Sequence, residues 1–117
     1  MIEIQNVTKV YGKQTVLSCV SATLEAGRIY GLVGINGSGK TTLMRCICGF
    51  THPTSGKIIV NGDEIGKKVD FPKRTGIIIE TPGFLPHYSG LRNLLLLAGV
   101  SHGATKERAA QVMRQVK

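Results

Sequence analysis

The chain has 117 residues, with 15 Lys and Arg against 7 Asp and Glu for a net charge of +8, and 15 glycines. A chain of that size is one domain or part of one, long enough to bury a core. Its longest strictly apolar stretch, Leu94 to Val100, falls far short of the roughly 18 residues a membrane span needs. Met1-Ile-Glu-Ile-Gln lacks the basic start and apolar run of a signal peptide, so the expected address is cytosolic.

Taken in chain order, Ile2 to Val7 alternates apolar and polar residues, predicting a half-buried strand. Thr15 to Leu24 reads as a second strand, and Glu25-Ala-Gly27 turns the chain into Arg28-Ile-Tyr-Gly-Leu-Val33, an apolar run short enough for a buried strand. Thr41 to Cys48 predicts a helix ended by Gly49, and Thr51-His-Pro-Thr-Ser-Gly56 a loop, by its breakers. Lys57 to Val60, Asn61-Gly62 and Asp63 to Ile65 carry a hairpin signal, because Asn-Gly suits a two-residue turn. Arg74 to Ile79 is another short buried strand, followed by the breakers Thr81-Pro-Gly83 and Leu85-Pro86. Ser89 caps a predicted helix carrying Leu91 and Leu94 to Leu97, interrupted from Gly99 to Gly103. The last helix places Ala109, Val112, Met113 and Val116 on one apolar stripe. That stripe ends with nothing left to pack against, and a parallel sheet needs more strands than follow Ile79. The expectation is part of a longer domain, with strand edges and an apolar helix face exposed.

Gly34-Ile-Asn-Gly-Ser-Gly-Lys40-Thr41-Thr42 is the most informative stretch. It fits G-x-x-x-x-G-K-[ST] between a predicted strand and a predicted helix, the setting a phosphate-binding loop requires. Gly34, Gly37 and Gly39 let backbone N–H groups, including those of Asn36 and Ser38, turn toward a phosphate. The following helix aims its positive end at the same anion. Lys40 then reaches the β- and γ-phosphates, and the Thr41 hydroxyl holds Mg²⁺. The bland alternative is a glycine-rich turn that only caps a helix.

Cys46 and Cys48 stand two apart on a helix, so their side chains diverge and cannot clip one metal. With Cys19 they are read as small buried apolar residues. His52, His87 and His102 each fall in a loop, as surface or capping residues. The basic residues are scattered, with only Lys67-Lys68 and Lys73-Arg74 adjacent, and no aromatic residues interleave with them. A direct nucleic-acid partner is therefore not expected.

This order of motifs resembles the nucleotide-binding subunit of ATP-binding-cassette (ABC) transporters, over essentially the whole length. An aromatic residue, Tyr11, stands 29 positions before Lys40 (40 − 11 = 29). The phosphate loop, with its second hydroxyl at Thr42, is followed by Gly49-Phe-Thr-His-Pro-Thr-Ser-Gly-Lys-Ile-Ile-Val-Asn-Gly62, and Gly76 to Ile79 leads into a loop whose first residue in the family is normally glutamine.

The resemblance implies an α/β P-loop NTPase of ABC type, cut short. Residues 1–80 would supply an N-terminal antiparallel β part, the phosphate-loop strand and its helix. Residues 81–117 would supply the coupling loop and the start of the helical subdomain. It implies ATP and Mg²⁺ as ligands, Tyr11 stacking on adenine, and Gly34, Asn36, Gly37, Ser38, Gly39, Lys40, Thr41 and Thr42 around the phosphates. Lys40 and Glu80 are the implied catalytic groups, and Thr41 and Glu80 the implied metal ligands. The implied partners are a second nucleotide-binding subunit and a membrane-spanning permease on the inner face of the membrane, with Pro82 to Leu97 facing the permease or forming a simple core helix.

Three family parts do not occur in the sequence: the Leu-Ser-Gly-Gly-Gln signature, an apolar strand ending in Asp-Glu, and a downstream switch histidine. The isolated chain is therefore expected to be inactive as an ATPase. Glu80 stands where the family has glutamine, which is similar to a subgroup exporting or protecting against bacitracin and lantibiotic-type peptides; drift at one position is the alternative. Two other readings stay open: a soluble ABC ATPase acting on nucleic acid or the ribosome, and a complete nucleotide-binding module without catalysis.

Overall fold

At one end of the first hairpin Ile2 pairs with Leu24, and at the other Tyr11 pairs with Gln14 across the Gly12-Lys13 turn. The computed structural model describes residues 1–100 and 105–116. Its sheet has four antiparallel strands, β1 (Ile2–Tyr11), β2 (Gln14–Leu24), β3 (Ser55–Val60) and β4 (Asp63–Glu64), in the order β2-β1-β3-β4. Among the described residues there are three helices, α1 (Lys40–Ile47), α2 (Gly90–Val100) and α3 (Lys106–Gln115). The chain divides into two compact units, Met1–Ile79 and Glu80–Lys117.

The β1 alternation is broken by a bulge. Ile4 and Val7 are both buried, three residues apart, because Asn6 takes a left-handed φ of +49° and shifts the register between them. An extra residue in one strand flips the faces that follow. Opposite the bulge, Gly56 has φ +80°, and a Cβ there would run into the Asn6 carbonyl, so only glycine fits. A second irregularity turns Cys19 outward at φ +46°, with its N–H donating to Thr8 Oγ1 at 3.0 Å. Cys19 is consequently exposed, correcting its expected burial, whereas Cys46 and Cys48 are buried.

The core of this unit fills the space between the sheet and α1, which lies against β2 and β3. Ile4, Val7 and Leu17 from the first hairpin meet Leu43, Cys46 and Ile47 from α1 and Ile58, Val60 and Ile65 from the second. Fully burying a Val or Ile side chain contributes about 1.5–3 kcal/mol, and Val7 and Ile58 are shut off almost completely.

The predicted strands at 28–33 and 74–79 join no sheet among the described residues. Ile29, Val33 and Ile78 are largely exposed, Val33 at 94%. A buried parallel strand is covered on both faces; Leu32 and Val33 line a cavity with Leu17, Val20 and Leu43, but neither segment pairs with a strand among the described residues.

In the second unit α2 packs on α3. Ser89 caps α2 as predicted, accepting from the Arg92 N–H at 3.2 Å, and Thr105 caps α3 through the Arg108 N–H. The interruption expected from Gly99 begins later, since α2 runs through Val100; the remainder of that segment lies outside the described residues, as does His102. Of the α3 stripe, Ala109 is buried and Val112 half-buried, while Met113 is exposed and Val116 lies beyond the helix.

Candidate phosphate-binding site

Residues 34–39 leave the chain looped over the first turn of α1. Gly37 and Gly39 take left-handed φ of +81° and +90°, conformations that a Cβ disfavours by about 1–2 kcal/mol. Gly39 has a second requirement: a Cβ would stand 2.7 Å from the Val16 carbonyl oxygen and 2.9 Å from Leu17 Cδ2. At Gly34 a Cβ would meet Ser38 Oγ at 2.5 Å. The loop is therefore pressed onto β2 at Gly39, where only glycine passes, whereas at Gly34 the obstacle is a side-chain hydroxyl that can rotate aside.

Lys40 folds back across this loop. Its Nζ donates to the carbonyl oxygens of Gly34 at 2.6 Å and Ile35 at 2.7 Å, and to Ser38 Oγ at 3.3 Å. Those three acceptors use all three ammonium hydrogens. All are neutral, and residues 34–42 contain no carboxylate, so the positive charge is held in place without being cancelled.

The N-cap of α1 is Gly39, which has no side chain to cap the helix. The first intrahelical acceptor is the Gly39 carbonyl, taken by the Leu43 N–H at 2.9 Å. The N–H groups of Lys40, Thr41 and Thr42 find no acceptor among the described residues, as the first turn of an α-helix requires. Three N–H donors without acceptors, a helix dipole and a fixed ammonium together favour an anion at this position.

A cavity of about 400 Å³ opens over these groups, lined by Asn36, Gly37, Gly39, Lys40, Thr41 and Thr42, with Val16 as its wall from β2. Val16 was not among the residues singled out from the sequence. Its only local signal is a place in an apolar run, whereas its role as a wall comes from the loop crossing β2.

Tyr11 ends β1, 49% exposed, outside the cavity lining, with Lys9 Nζ 4.8 Å from its ring centroid. Glu80 belongs to the second unit, which it opens, and is exposed with a left-handed φ of +64°. The structure thus gathers Asn36, Gly37, Gly39, Lys40, Thr41 and Thr42 about one cavity in the first unit, while Gly34 and Ser38 line a second cavity that shares Gly39 and Lys40 with it. His52 and His87 are exposed.

The chain matches the family model described as ABC transporter over residues 17–117. It is 47% identical over 100 residues to the uncharacterized ABC transporter ATP-binding protein YybJ of Bacillus subtilis (strain 168), covering 86% of this chain and 46% of that protein. It is 38% identical over 117 residues to the bacitracin transport ATP-binding protein BcrA of Enterococcus faecalis, covering 97% of this chain and 38% of that protein. The chain spans less than half the length of each of these two relatives. Among solved structures it superposes on a dimeric bacterial ABC transporter cassette with a TM-score of 0.79 at 24% identity, over 97% of this chain and 55% of that one. With a family match over residues 17–117, the chain belongs to the ABC transporter family.

Proposed function

We propose that residues 34–42 bind the triphosphate of Mg²⁺–ATP and that, in the whole protein, hydrolysis of that ATP powers transport across a membrane. One observation carries the reading: Lys40 Nζ is fixed 2.6 Å from the Gly34 carbonyl at the edge of a cavity into which the first turn of α1 presents uncapped N–H groups. Backbone donors hold phosphate oxygens by geometry, and Lys40 adds the charge they lack.

Mg²⁺, a hard cation that takes oxygen ligands, is the metal proposed to accompany the triphosphate. The Thr41 hydroxyl and the Glu80 carboxylate are the groups that would hold it, and the metal would neutralise phosphate charge. Tyr11 offers a flat ring on which a purine can stack. Lys40 and Glu80 are the residues of this chain assigned to the hydrolytic step.

The proposed assembly pairs two such subunits around ATP and docks them on a permease at the cytosolic face. A peptide antibiotic of the bacitracin or lantibiotic type is the proposed cargo, supported by the 38% identity to a bacitracin transport protein and by Glu80 in place of the usual glutamine.

Isothermal titration of Mg²⁺–ATP into the wild-type protein and Lys40→Ala tests the site. A large loss of affinity is expected in the variant; equal affinity would remove this loop as the phosphate site. Deleting the gene and measuring sensitivity to bacitracin and lantibiotic-type peptides tests the cargo, and unchanged sensitivity across that panel would remove it.

A further inference from the structure

Lys9 and Tyr11 are two apart on β1, and the Lys9 ammonium lies over the Tyr11 ring at 4.8 Å from its centroid. The same Nζ donates to the carbonyl oxygen of His52 at 2.7 Å. That carbonyl belongs to the segment joining α1 to β3, which is tied to β1 twice more. The Thr54 N–H donates to the Thr8 carbonyl at 2.8 Å, and the Val10 N–H donates to Thr54 Oγ1 at 2.9 Å. At its other end the segment hangs from α1, where the Phe50 N–H donates to the Arg45 carbonyl at 2.9 Å. His52 itself packs on Gly66, where a Cβ would stand 2.6 Å from Nδ1.

We propose that Lys9 is a positioning residue for nucleotide binding: anchored on the His52 carbonyl, its ammonium covers one face of the Tyr11 ring and leaves the opposite face for a purine base. The proposal rests on the reading of Tyr11 as the base platform. A tyrosine half-exposed at the end of a strand has several side-chain rotamers open to it. A cation with a fixed anchor selects the rotamer that keeps the ring beneath it, and the attraction of ammonium to the ring face holds it there. The segment at 50–54 leaves α1, which follows the phosphate loop, and on its way to β3 is hydrogen-bonded to β1, the strand that carries Tyr11. It therefore sets the span between the base and phosphate positions, and Lys9 joins that brace to the ring itself.

The test uses the full gene product with Lys9→Met, Lys9→Arg, Tyr11→Ala and the Lys9→Met/Tyr11→Ala double variant. Each is titrated with Mg²⁺–ATP and with magnesium tripolyphosphate, which has the anion but no base. Lys9→Met is expected to weaken Mg²⁺–ATP about two- to fivefold, the range of an exposed cation–π contact, and to leave tripolyphosphate unchanged. Lys9→Arg should restore ATP affinity, because a guanidinium both stacks on the ring and donates to the carbonyl. In the Tyr11→Ala background the Lys9→Met change should add nothing, since the two residues act as one unit.

Equal losses for both ligands, or a Lys9→Met effect that survives in the Tyr11→Ala background, would overturn the assignment. A loss in Tyr11→Ala with none in Lys9→Met would overturn it while sparing the platform reading. Unchanged ATP affinity in Tyr11→Ala would remove the platform itself. If Lys9→Met does not fold, Lys9→Gln takes its place, keeping a donor for the His52 carbonyl without the charge.

Discussion

Lys40 Nζ donates to the carbonyl oxygen of Gly34 at 2.6 Å, six residues back along the chain, so the phosphate loop is closed by its own lysine. The side chain that gives the loop its charge is also one of the ties that give it a shape. Lys40→Ala should therefore lower the stability of the nucleotide-free protein as well as its affinity for ATP. The lost contacts are exposed, so the expected cost is about 1 kcal/mol, the net value of an ordinary hydrogen bond. Thermal unfolding without nucleotide measures it, and an unchanged midpoint would show that the lysine contributes nothing to the loop's shape.

Gly37 and Gly39 share a left-handed backbone but differ in their surroundings. A Cβ at Gly37 meets nothing within 4 Å, whereas at Gly39 it meets Val16 O at 2.7 Å and Leu17 Cδ2 at 2.9 Å. Gly37→Ala should cost about 1–2 kcal/mol from the backbone alone. Gly39→Ala should cost about 1–3 kcal/mol more, because loop or strand must shift. Denaturant midpoints of the two variants test this; equal losses would mean that the loop stands off β2.

In the second unit Asn93 is 6% exposed, and its side chain makes four hydrogen-bonding contacts to backbone groups. Its Oδ1 accepts from the Leu85 N–H at 2.8 Å, and its Nδ2 donates to the carbonyls of Leu85, Tyr88 and Ser89, each at 3.1 Å. One side chain thus holds residues 85–89 against the start of α2. Asn93→Leu should cost about 2 kcal/mol, as unpaired buried polar groups do, and should free the Leu85 amide to exchange. Hydrogen exchange at Leu85 is the readout, and retained protection would show that the segment holds itself.

The three thiols should react in two classes. Burial pushes Cys46 above the ordinary thiol value of 9.0, with the Lys9 charge a smaller opposing influence, and burial likewise raises Cys48. Because the thiolate is the nucleophile, both should resist iodoacetamide at pH 8 while the exposed Cys19 is labelled. Peptide mapping after timed alkylation gives the order. Labelling of Cys46 as fast as Cys19 would mean that α1 detaches readily from the sheet.

The proposed role of Glu80 at the metal implies that its carboxylate repels the triphosphate unless a metal intervenes. In the full gene product, omitting Mg²⁺ should therefore weaken ATP binding more in the wild type than in Glu80→Gln. Glu80→Ala should lower ATP turnover and transport together by roughly tenfold or more, the size of a lost contact to a charged group at about 1.5–3 kcal/mol. Glu80→Gln should be milder for turnover. Identical metal dependence in all three proteins would place Glu80 away from the phosphates.

Much of the local architecture was legible in the residues themselves. The Asn61-Gly62 turn between β3 and β4, the Ser89 cap and the helix after Lys40 each rest on interactions among near neighbours, and each is where the sequence places it. The phosphate loop was legible for the same reason: its glycines, lysine and threonines act within nine consecutive residues.

Contacts between distant residues decided the rest. Asn6 and Cys19 sit where the register between paired strands shifts, and that pairing depends on residues far away in the chain. The apolar runs at 28–33 and 74–79 have the composition of buried strands, but burial depends on what covers them. Val16 becomes a cavity wall because Gly39 lies against its carbonyl. Lys9 becomes a brace because the chain returns 43 residues later to place the His52 carbonyl beside it. The sequence by itself determined the short-range structure and the chemistry of the loop. Tertiary structure alone decided which side chains share a site, since that depends on where the chain comes back to itself.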